Sequence, residues 1–263
     1  MAFSSQIILQ TLIGTSIANP EMCGPMSWTC APGWKHFDRS GGHKDETPDT
    51  QFQRSSQLRG KMMGKTVDFI FDFASPNGYL SHKLVPEIEA RTGATFNYIP
   101  ALLGGIHKLT NNQPPMIAFG GVKGKLEYEQ MEMARFVKKH KLDKYAFNPH
   151  FPIMTMLIQR GLIAAEMDGK KMEYIEVVSK AMWEDQQKMD DPAVVAKVLS
   201  AGGFDAQRLL ARTQEQEVKQ KLIENTQAAV DRGVFGIPFF FVGDEGFFGK
   251  DRLAQVEELL MEG

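Results

Sequence analysis

Cysteine is almost missing from this chain. Only Cys23 and Cys30 occur among its 263 residues, so everything after residue 30 lacks a thiol for a disulfide framework, a thiolate metal site or a cysteine nucleophile. Any thiol chemistry in the body must use a thiol brought from outside. The two cysteines stand in CGPMSWTC, a spacing that is neither a CxxC redox motif nor a zinc knuckle, and they read as incidental. An excess of one charge is missing too: 30 Lys and Arg against 32 Asp and Glu leave a formal charge of −2. Phosphate affinity needs a clustered basic surface, so neither nucleic acid nor an anionic membrane is an expected partner. No run reaches the ~18–20 apolar residues that would span a bilayer, and a hydrophobic share of 43% suits a soluble globule. The six histidines, His36, His43, His82, His107, His140 and His150, show no HxH or HExxH spacing, and no metal is expected.

Aliphatic residues are scarce in one region only. Between Glu21 and Met62 there is no Val or Ile, and Leu58 is the only Leu, while Gly, Pro, Ser, Asp and Gln dominate. Such a stretch cannot bury enough apolar surface to offset its chain entropy, so residues 1–62 are expected to form a disordered or irregular N-terminal extension. Residues 6–13 (QIILQTLI) are apolar, but no Lys or Arg precedes them. They lack the basic region of a secretory signal, and Met63 is the expected functional start.

What is present from residue 63 onward is an ordered alternation of signals. TVDFIFDF at 66–73 places Val67, Phe69, Phe71 and Phe73 on one face with period two and reads as a strand. It ends at Ala74-Ser75-Pro76, and a helix follows with Leu80, Leu84 and Ile88 at four-residue spacing, a kink at Pro86 and a stop at Gly93. Thr95–Ile99 (TFNYI) is a second strand, and the βαβ unit requires the two to be parallel with a right-handed crossover. From Lys123 to about Arg232 the pattern is helical. Asp191-Pro192 opens one helix and Gly202-Gly203 closes it. Thr213-Gln214-Glu215-Gln216 fits a capping box leading into Val218, Leu222 and Val230, with Gly233 as the stop. FFFV at 239–242 is a strand, Gly243-Asp244-Glu245-Gly246 a turn, Phe247-Phe248 the start of another strand, and a last helix turns Leu253, Val256 and Leu260 inward. The predicted class is α/β, a four-stranded mixed sheet in the order β-α-β … β-β-α interrupted by an inserted all-helical domain. The sheet domain takes residues 63–122 and 214–263, and the helical insertion takes 123–213.

Candidate chemistry gathers at the ends of elements. Ser75-Pro76 lies at a helix N-terminus, where unpaired N–H groups favour an anion, but an N-cap serine followed by proline is also an ordinary way to begin a helix. No G-x-S-x-G elbow surrounds Ser75, which argues against a serine hydrolase. Pro238, after Gly236-Ile237, opens an otherwise central strand. It is either an edge-strand proline or a cis proline that turns the chain and exposes the backbone of Ile237. Phe248-Gly249-Lys250-Asp251 puts an acid in the first turn of the last helix, which is favourable on dipole grounds alone. Asn111-Asn112-Gln113-Pro114-Pro115 lies in a long loop that is functional or merely connecting. Phe147-Asn148-Pro149-His150-Phe151-Pro152 is an aromatic loop that either walls an apolar pocket or plugs the domain junction. Glu127-Tyr128-Glu129-Gln130 and Lys138-Lys139-His140-Lys141 read as solvated helix faces.

Together, DFASP at 72–76, NNQPP at 111–115, GVFGIP at 233–238 and FFGKDRL at 247–253 resemble one family. It is the 2-hydroxychromene-2-carboxylate isomerases and their relatives the kappa-class glutathione transferases, in the DsbA-like branch of thioredoxin folds. The resemblance runs from about Thr66 to the C-terminus. It implies a thioredoxin-like sheet split by a helical domain, and glutathione as the borrowed thiol. In such proteins serine holds the position of the DsbA-like redox cysteine, which makes Ser75 the catalytic group that hydrogen-bonds the glutathione sulfur. Carried over, Asn112 contacts glutathione from the interdomain loop, and Ile237 pairs its backbone with the tripeptide beside a cis Pro238. Phe248, Gly249, Lys250 and Asp251 hold the γ-glutamyl end. Relatives often carry an aromatic residue after Ser-Pro, where this chain has Asn77-Gly78, and its NNQPP loop is more like the kappa class. The implied activity is therefore a cytoplasmic glutathione-dependent isomerase of aromatic catabolism, acting on a conjugated aromatic substrate. The alternatives are a transferase acting on small electrophiles and a thioredoxin-like binding module without turnover. A homodimer is common among such relatives.

Overall fold

Residues 65–262 are described by a computed structural model. The expected extension 1–62, with Cys23 and Cys30, lies outside the described residues. Strand β1 (Thr66–Phe71), helix α1 (Pro76–Thr92) and strand β2 (Thr95–Pro100) make the first unit. β1 and β2 are parallel, in register from Thr66↔Thr95 to Phe71↔Pro100, as a βαβ connection requires. Strand β3 (Phe239–Val242) pairs antiparallel with β1, and β4 (Glu245–Phe248) antiparallel with β3. The order is β2-β1-β3-β4, so β1 is central and covered on both faces. Val67, Phe69 and Phe71 enter the larger core, where Phe69 lies 4.8 Å from Tyr98 and 4.7 Å from Phe240 between ring centroids. Ile70 enters a smaller core on the other face with Ile106, Ile237, Phe239 and Phe241.

β1 stops at Phe71, short of the expected Phe73. The Phe73 carbonyl accepts the indole N–H of Trp183 at 2.9 Å instead of a strand partner. α1 begins at the Ser75 cap, continues through Pro86 as one element and ends at Gly93 with φ 72. The expected loop after β2 contains two helices, α2 (Leu103–Thr110) and α3 (Pro115–Ala118). Local sequence hides α2 because its N-cap, Leu102, has no capping side chain. The caps come from elsewhere: Asp72 Oδ2 accepts from Leu103 N at 2.7 Å, and Thr226 Oγ1 accepts from Leu102 N at 3.0 Å.

The middle of the chain is helical: α4 (Lys125–Lys139), α5 (Met156–Met167), α6 (Lys171–Trp183), α7 (Pro192–Ala201), α8 (Ala206–Arg212) and α9 (Gln216–Asp231). Asp191 caps α7 as expected, accepting from Ala193 N at 2.9 Å. The capping box at Thr213 does not form. α8 runs to Arg212, so the Thr213 hydroxyl is used there, donating to Leu210 O at 2.6 Å. Glu215 takes the N-cap of α9 without a side-chain bond. The β3–β4 turn is only Gly243-Asp244, so β4 begins at Glu245, two residues before the expected Phe247; Gly243 has φ 61, a conformation glycine adopts without strain. A 3₁₀ turn (Lys250–Arg252) leads into α10 (Leu253–Glu262), which buries Leu253, Val256 and Leu260.

Helix α5 is tied to the ends of both parallel strands by one side chain. Gln159 is fully buried, and its Nε2 donates to Phe71 O at 2.8 Å and Ala101 O at 2.7 Å. The Ala101 carbonyl thereby gains a donor, and the Phe71 carbonyl, which also accepts from Ala101 N at 3.1 Å, gains a second. Among the described residues no helix is long and apolar enough to cross a membrane, and no three His, Cys, Asp or Glu converge as metal ligands.

Candidate active site

Ser75 follows the turn that ends β1 and is 4% exposed. Its φ of −92° and ψ of 113° are extended, as an N-cap requires, and its Oγ accepts from Gly78 N at 3.0 Å. The same hydroxyl donates to Ile237 O at 2.9 Å, across 162 residues of sequence. Ser75 is thus more than a cap: its single proton is directed at the backbone before Pro238. The Ile237-Pro238 bond is cis. The Ile237 carbonyl is engaged by Ser75, and its N–H has no acceptor among the described residues.

The short segment 235–238 gathers the other expected residues. Asn112 Nδ2 donates to Phe235 O at 2.8 Å. Gly249 N donates to Pro238 O at 2.9 Å, and the Phe248 ring lies 4.6 Å from that of Phe235. Gly249 has φ 94, a backbone that favours glycine. Gly236 lies close beneath Phe248, and an added Cβ would stand 2.9 Å from that ring, so the ring would have to shift. Lys250 departs from expectation in direction. Only 6% of its side chain is exposed, and its ammonium lies 4.7 Å from the Phe136 ring centroid on α4 and 2.7 Å from Asp251 Oδ1. The apolar stem and the cation both find partners under α4, so the ammonium turns inward. Asp251 remains 68% exposed.

Sequence reasoning gave no role to Asp72. Its carboxylate is fully buried behind Ser75, accepting from Ala74 N at 2.9 Å and Leu103 N at 2.7 Å. Burial pushes its pKa from the ordinary 3.8 up to about 6, against the lowering effect of these two N–H groups and the Thr155 hydroxyl. One carboxylate therefore joins the Ser75 turn, the start of α2 and the start of α5. Because the folded-state pKa is raised, the folded state binds this proton more tightly. The contribution is fully present below pH 3.8 and is lost as pH rises through about 6. The two-unit shift corresponds to about 3 kcal/mol. The stability of the native chain relative to Asp72→Asn should therefore rise as pH falls from 7 to 5, read from urea midpoints at each pH. Parallel curves for the two proteins would remove Asp72 as a titrating group.

A stack of rings flanks the same turn. Tyr79, one turn into α1, stacks on Tyr145 at 5.8 Å, and Tyr145 stacks on Trp183 at 6.2 Å. Tyr79 Oη donates to Glu184 Oε1 at 3.0 Å, and burial, followed by this carboxylate, raises the phenol pKa. The aromatic loop 147–152 joins the stack through Phe147 and Phe151, each packed against Trp183.

The sequence matches the family described as a DSBA-like thioredoxin domain over residues 66–261. The chain belongs to that family. Among DSBA-like proteins it is similar to the 2-hydroxychromene-2-carboxylate isomerase of Pseudomonas putida, at 27% identity over 194 residues, covering 74% of this chain and 93% of that one. It is also similar to glutathione S-transferase kappa 1 of Homo sapiens, at 25% identity over 218 residues, covering 75% and 92%. A solved 2-hydroxychromene-2-carboxylate isomerase superposes with TM-score 0.66 at 26% identity, over 75% of this chain and 95% of the other. This DSBA-like chain carries serine at the helix start and no cysteine beyond residue 30. Its relatives are isomerases and glutathione transferases.

Proposed function

We propose that this DSBA-like protein is a glutathione-dependent isomerase of the 2-hydroxychromene-2-carboxylate type, acting on conjugated aromatic-catabolic intermediates in a cytoplasmic setting. The observation that carries the reading is the convergence of Ser75, Asn112 and Gly249 on the segment 235–238 in a body without thiols. The residues present fit a γ-glutamyl tripeptide. Ile237 offers an N–H with no acceptor among the described residues, as a peptide backbone requires. Asp251 offers an exposed carboxylate to an ammonium, and Phe248, 46% exposed, offers an apolar wall.

Bound glutathione supplies a thiolate that adds reversibly to a conjugated acceptor. Ser75 would donate its hydroxyl proton to the sulfur, releasing the Ile237 carbonyl to accept from the tripeptide. The N-terminus of α1 adds the positive end of its dipole, and the two together favour thiolate over thiol. Ser75 is then a donor and not a nucleophile. Asn112 would contact the tripeptide from the end of α2. Asp251, 68% exposed, would pair with the γ-glutamyl ammonium, while the buried Lys250 holds that carboxylate in place from beneath at 2.7 Å. These positions orient the acceptor and stabilise negative charge developing on it.

A transferase reading is favoured by the Asn111–Pro115 loop and by the similarity to the kappa-class protein. Calorimetric titration of the full chain with glutathione tests both readings. Binding at or below millimolar ligand is expected, and no detectable heat would sink both and leave a binding module. Absorbance of 2-hydroxychromene-2-carboxylate then divides them. Isomerisation without loss of glutathione supports the isomerase, whereas stoichiometric loss with 1-chloro-2,4-dinitrobenzene supports the transferase.

A further inference from the structure

Asp72 is a buried acid at the turn that presents Ser75, and its two oxygens hold two different pieces of chain. Oδ1 accepts from Ala74 N within the turn at 2.9 Å, and Oδ2 accepts from Leu103 N, at the start of α2, at 2.7 Å. The third group that acts on it is the hydroxyl of Thr155 before α5, and none of the three is charged. Burial works against the carboxylate, as its raised pKa shows. An asparagine of the same shape would bury no charge, yet it has one accepting atom where the carboxylate has two. One of the two N–H groups would then face the amide NH₂ and lose its acceptor.

The two pieces lead to opposite sides of the segment 235–238. On one side the Asp72 carbonyl accepts from Ser75 N at 3.2 Å, and Ser75 directs its hydroxyl at Ile237 O. The turn has little slack, since a Cβ on Gly78 would stand 3.4 Å from Asp72 O and 3.3 Å from Ser75 Cβ. On the other side α2 runs about 12 Å from Leu103 to Thr110. Beyond it Asn112 donates its N–H to His107 O at 2.9 Å and its Nδ2 to Phe235 O at 2.8 Å. A rotation at the start of so short a rod is passed to its far end. The carboxylate therefore sets where Asn112 stands relative to Ser75, and protonation turns one of its accepting oxygens into a donor.

We propose that Asp72 is a positioning residue for glutathione: by accepting on both carboxylate oxygens it holds the Ser75 turn and α2, with Asn112 beyond its end, in the relative placement that the bound tripeptide requires. The proposal rests on the glutathione-dependent reading and deepens it by assigning the geometry of that site to a side chain buried out of reach of the ligand. The test compares the full native chain with Asp72→Asn and with Leu103→Pro. The second variant keeps the carboxylate and deletes the N–H given to it. Leu103 opens α2 and Leu102 before it is extended, with φ −94° and ψ 112°, so proline fits there. Each variant should weaken glutathione about tenfold at pH 7 in calorimetry, as misplacement of contact groups does. A role through charge alone has the opposite sign, since removing a negative charge behind Ser75 favours thiolate and tightens binding. With Asp72 titrating at about 6, the ratio of affinities between native and Asp72→Asn proteins should shrink to about twofold at pH 5. That ratio cancels the titrations both proteins share, those of the glutathione thiol and of His107 on α2, whose pKa burial lowers, included. A thermal melt shows whether each variant is folded. Without glutathione, amide exchange at residues 74–78 and 103–106 should be faster in Asp72→Asn at pH 7, while the buried part of α5 stays protected. Equal affinity of native and Asp72→Asn proteins at pH 7, a ratio constant between pH 7 and pH 5, native affinity in Leu103→Pro, or unchanged exchange in both segments would overturn the proposal. No heat from glutathione with the native chain, beside faster exchange in both segments of Asp72→Asn, would instead sink the thiol chemistry and leave the tie between the turn and α2 standing.

Discussion

Ser75→Ala is expected to lower kcat/KM by about 10²–10³-fold, the loss typical when one preorganised donor to developing charge is removed. The hydroxyl has one proton, and the ligand-free structure directs it at Ile237 O, 2.9 Å away. In the proposed reaction that proton turns to the sulfur, so the variant loses the contact that favours the thiolate, while the Ile237 carbonyl is left without its donor. Stability should fall as well, by about 1–2 kcal/mol, because Gly78 N and Ile237 O lose a partner in a buried place. The two effects separate in measurement. Steady-state kinetics at saturating glutathione reads the first and chemical denaturation reads the second. Unchanged turnover with the expected stability loss would reduce Ser75 to the cap of α1.

The largest loss of stability is expected from Trp183→Ala, about 3–5 kcal/mol for deletion of a fully buried indole. To that is added about 1 kcal/mol for the Phe73 carbonyl, which loses its only donor among the described side chains. Trp183 also supports the ring of Tyr145 and packs against Phe147 and Phe151. Trp183→Phe keeps most of the ring contacts and deletes the N–H, so it should cost only about 1–3 kcal/mol. Urea midpoints with m-values for the three proteins give the comparison. A loss below 1 kcal/mol for Trp183→Ala would show that the stack does not carry the junction. Equal losses for both variants would put the whole effect in the hydrogen bond.

Several elements of this fold were legible because their causes are local. Ser75-Pro76 marks the start of α1, since an N-cap and its N–H lie within three residues of each other. Gly93 ends it for the same reason. Helix α2 was not legible, because Asp72 and Thr226 cap it from distant parts of the chain. Thr213 was misread because a capping box and a helix C-terminus offer the same hydroxyl two uses, and the length of α8 decided between them. Lys250 was expected to face a ligand, yet α4 supplies an aromatic ring that draws its ammonium inward.

The two aspartates of TVDFIFDF show the boundary most clearly. Period two places Asp68 and Asp72 on the same face of the first strand, and nothing nearby distinguishes them. In the folded chain Asp68 is partly exposed and pairs with Arg232 at 2.8 Å. Asp72 is fully buried, because α2 and the start of α5 close over it, and it titrates near pH 6.

The amino-acid sequence by itself determined the βαβ unit, the hairpin, the helical middle and the lack of any thiol beyond residue 30, because periodicity, caps and composition act over a few residues. The tertiary structure alone decided that Ser75 meets Ile237, that Asn112 and Gly249 meet the same segment, and that the aromatic loop joins the turn before α1. The contacts of Ser75, Asn112 and Trp183 among these join residues more than a hundred positions apart, and only the burial of a shared core holds such groups together.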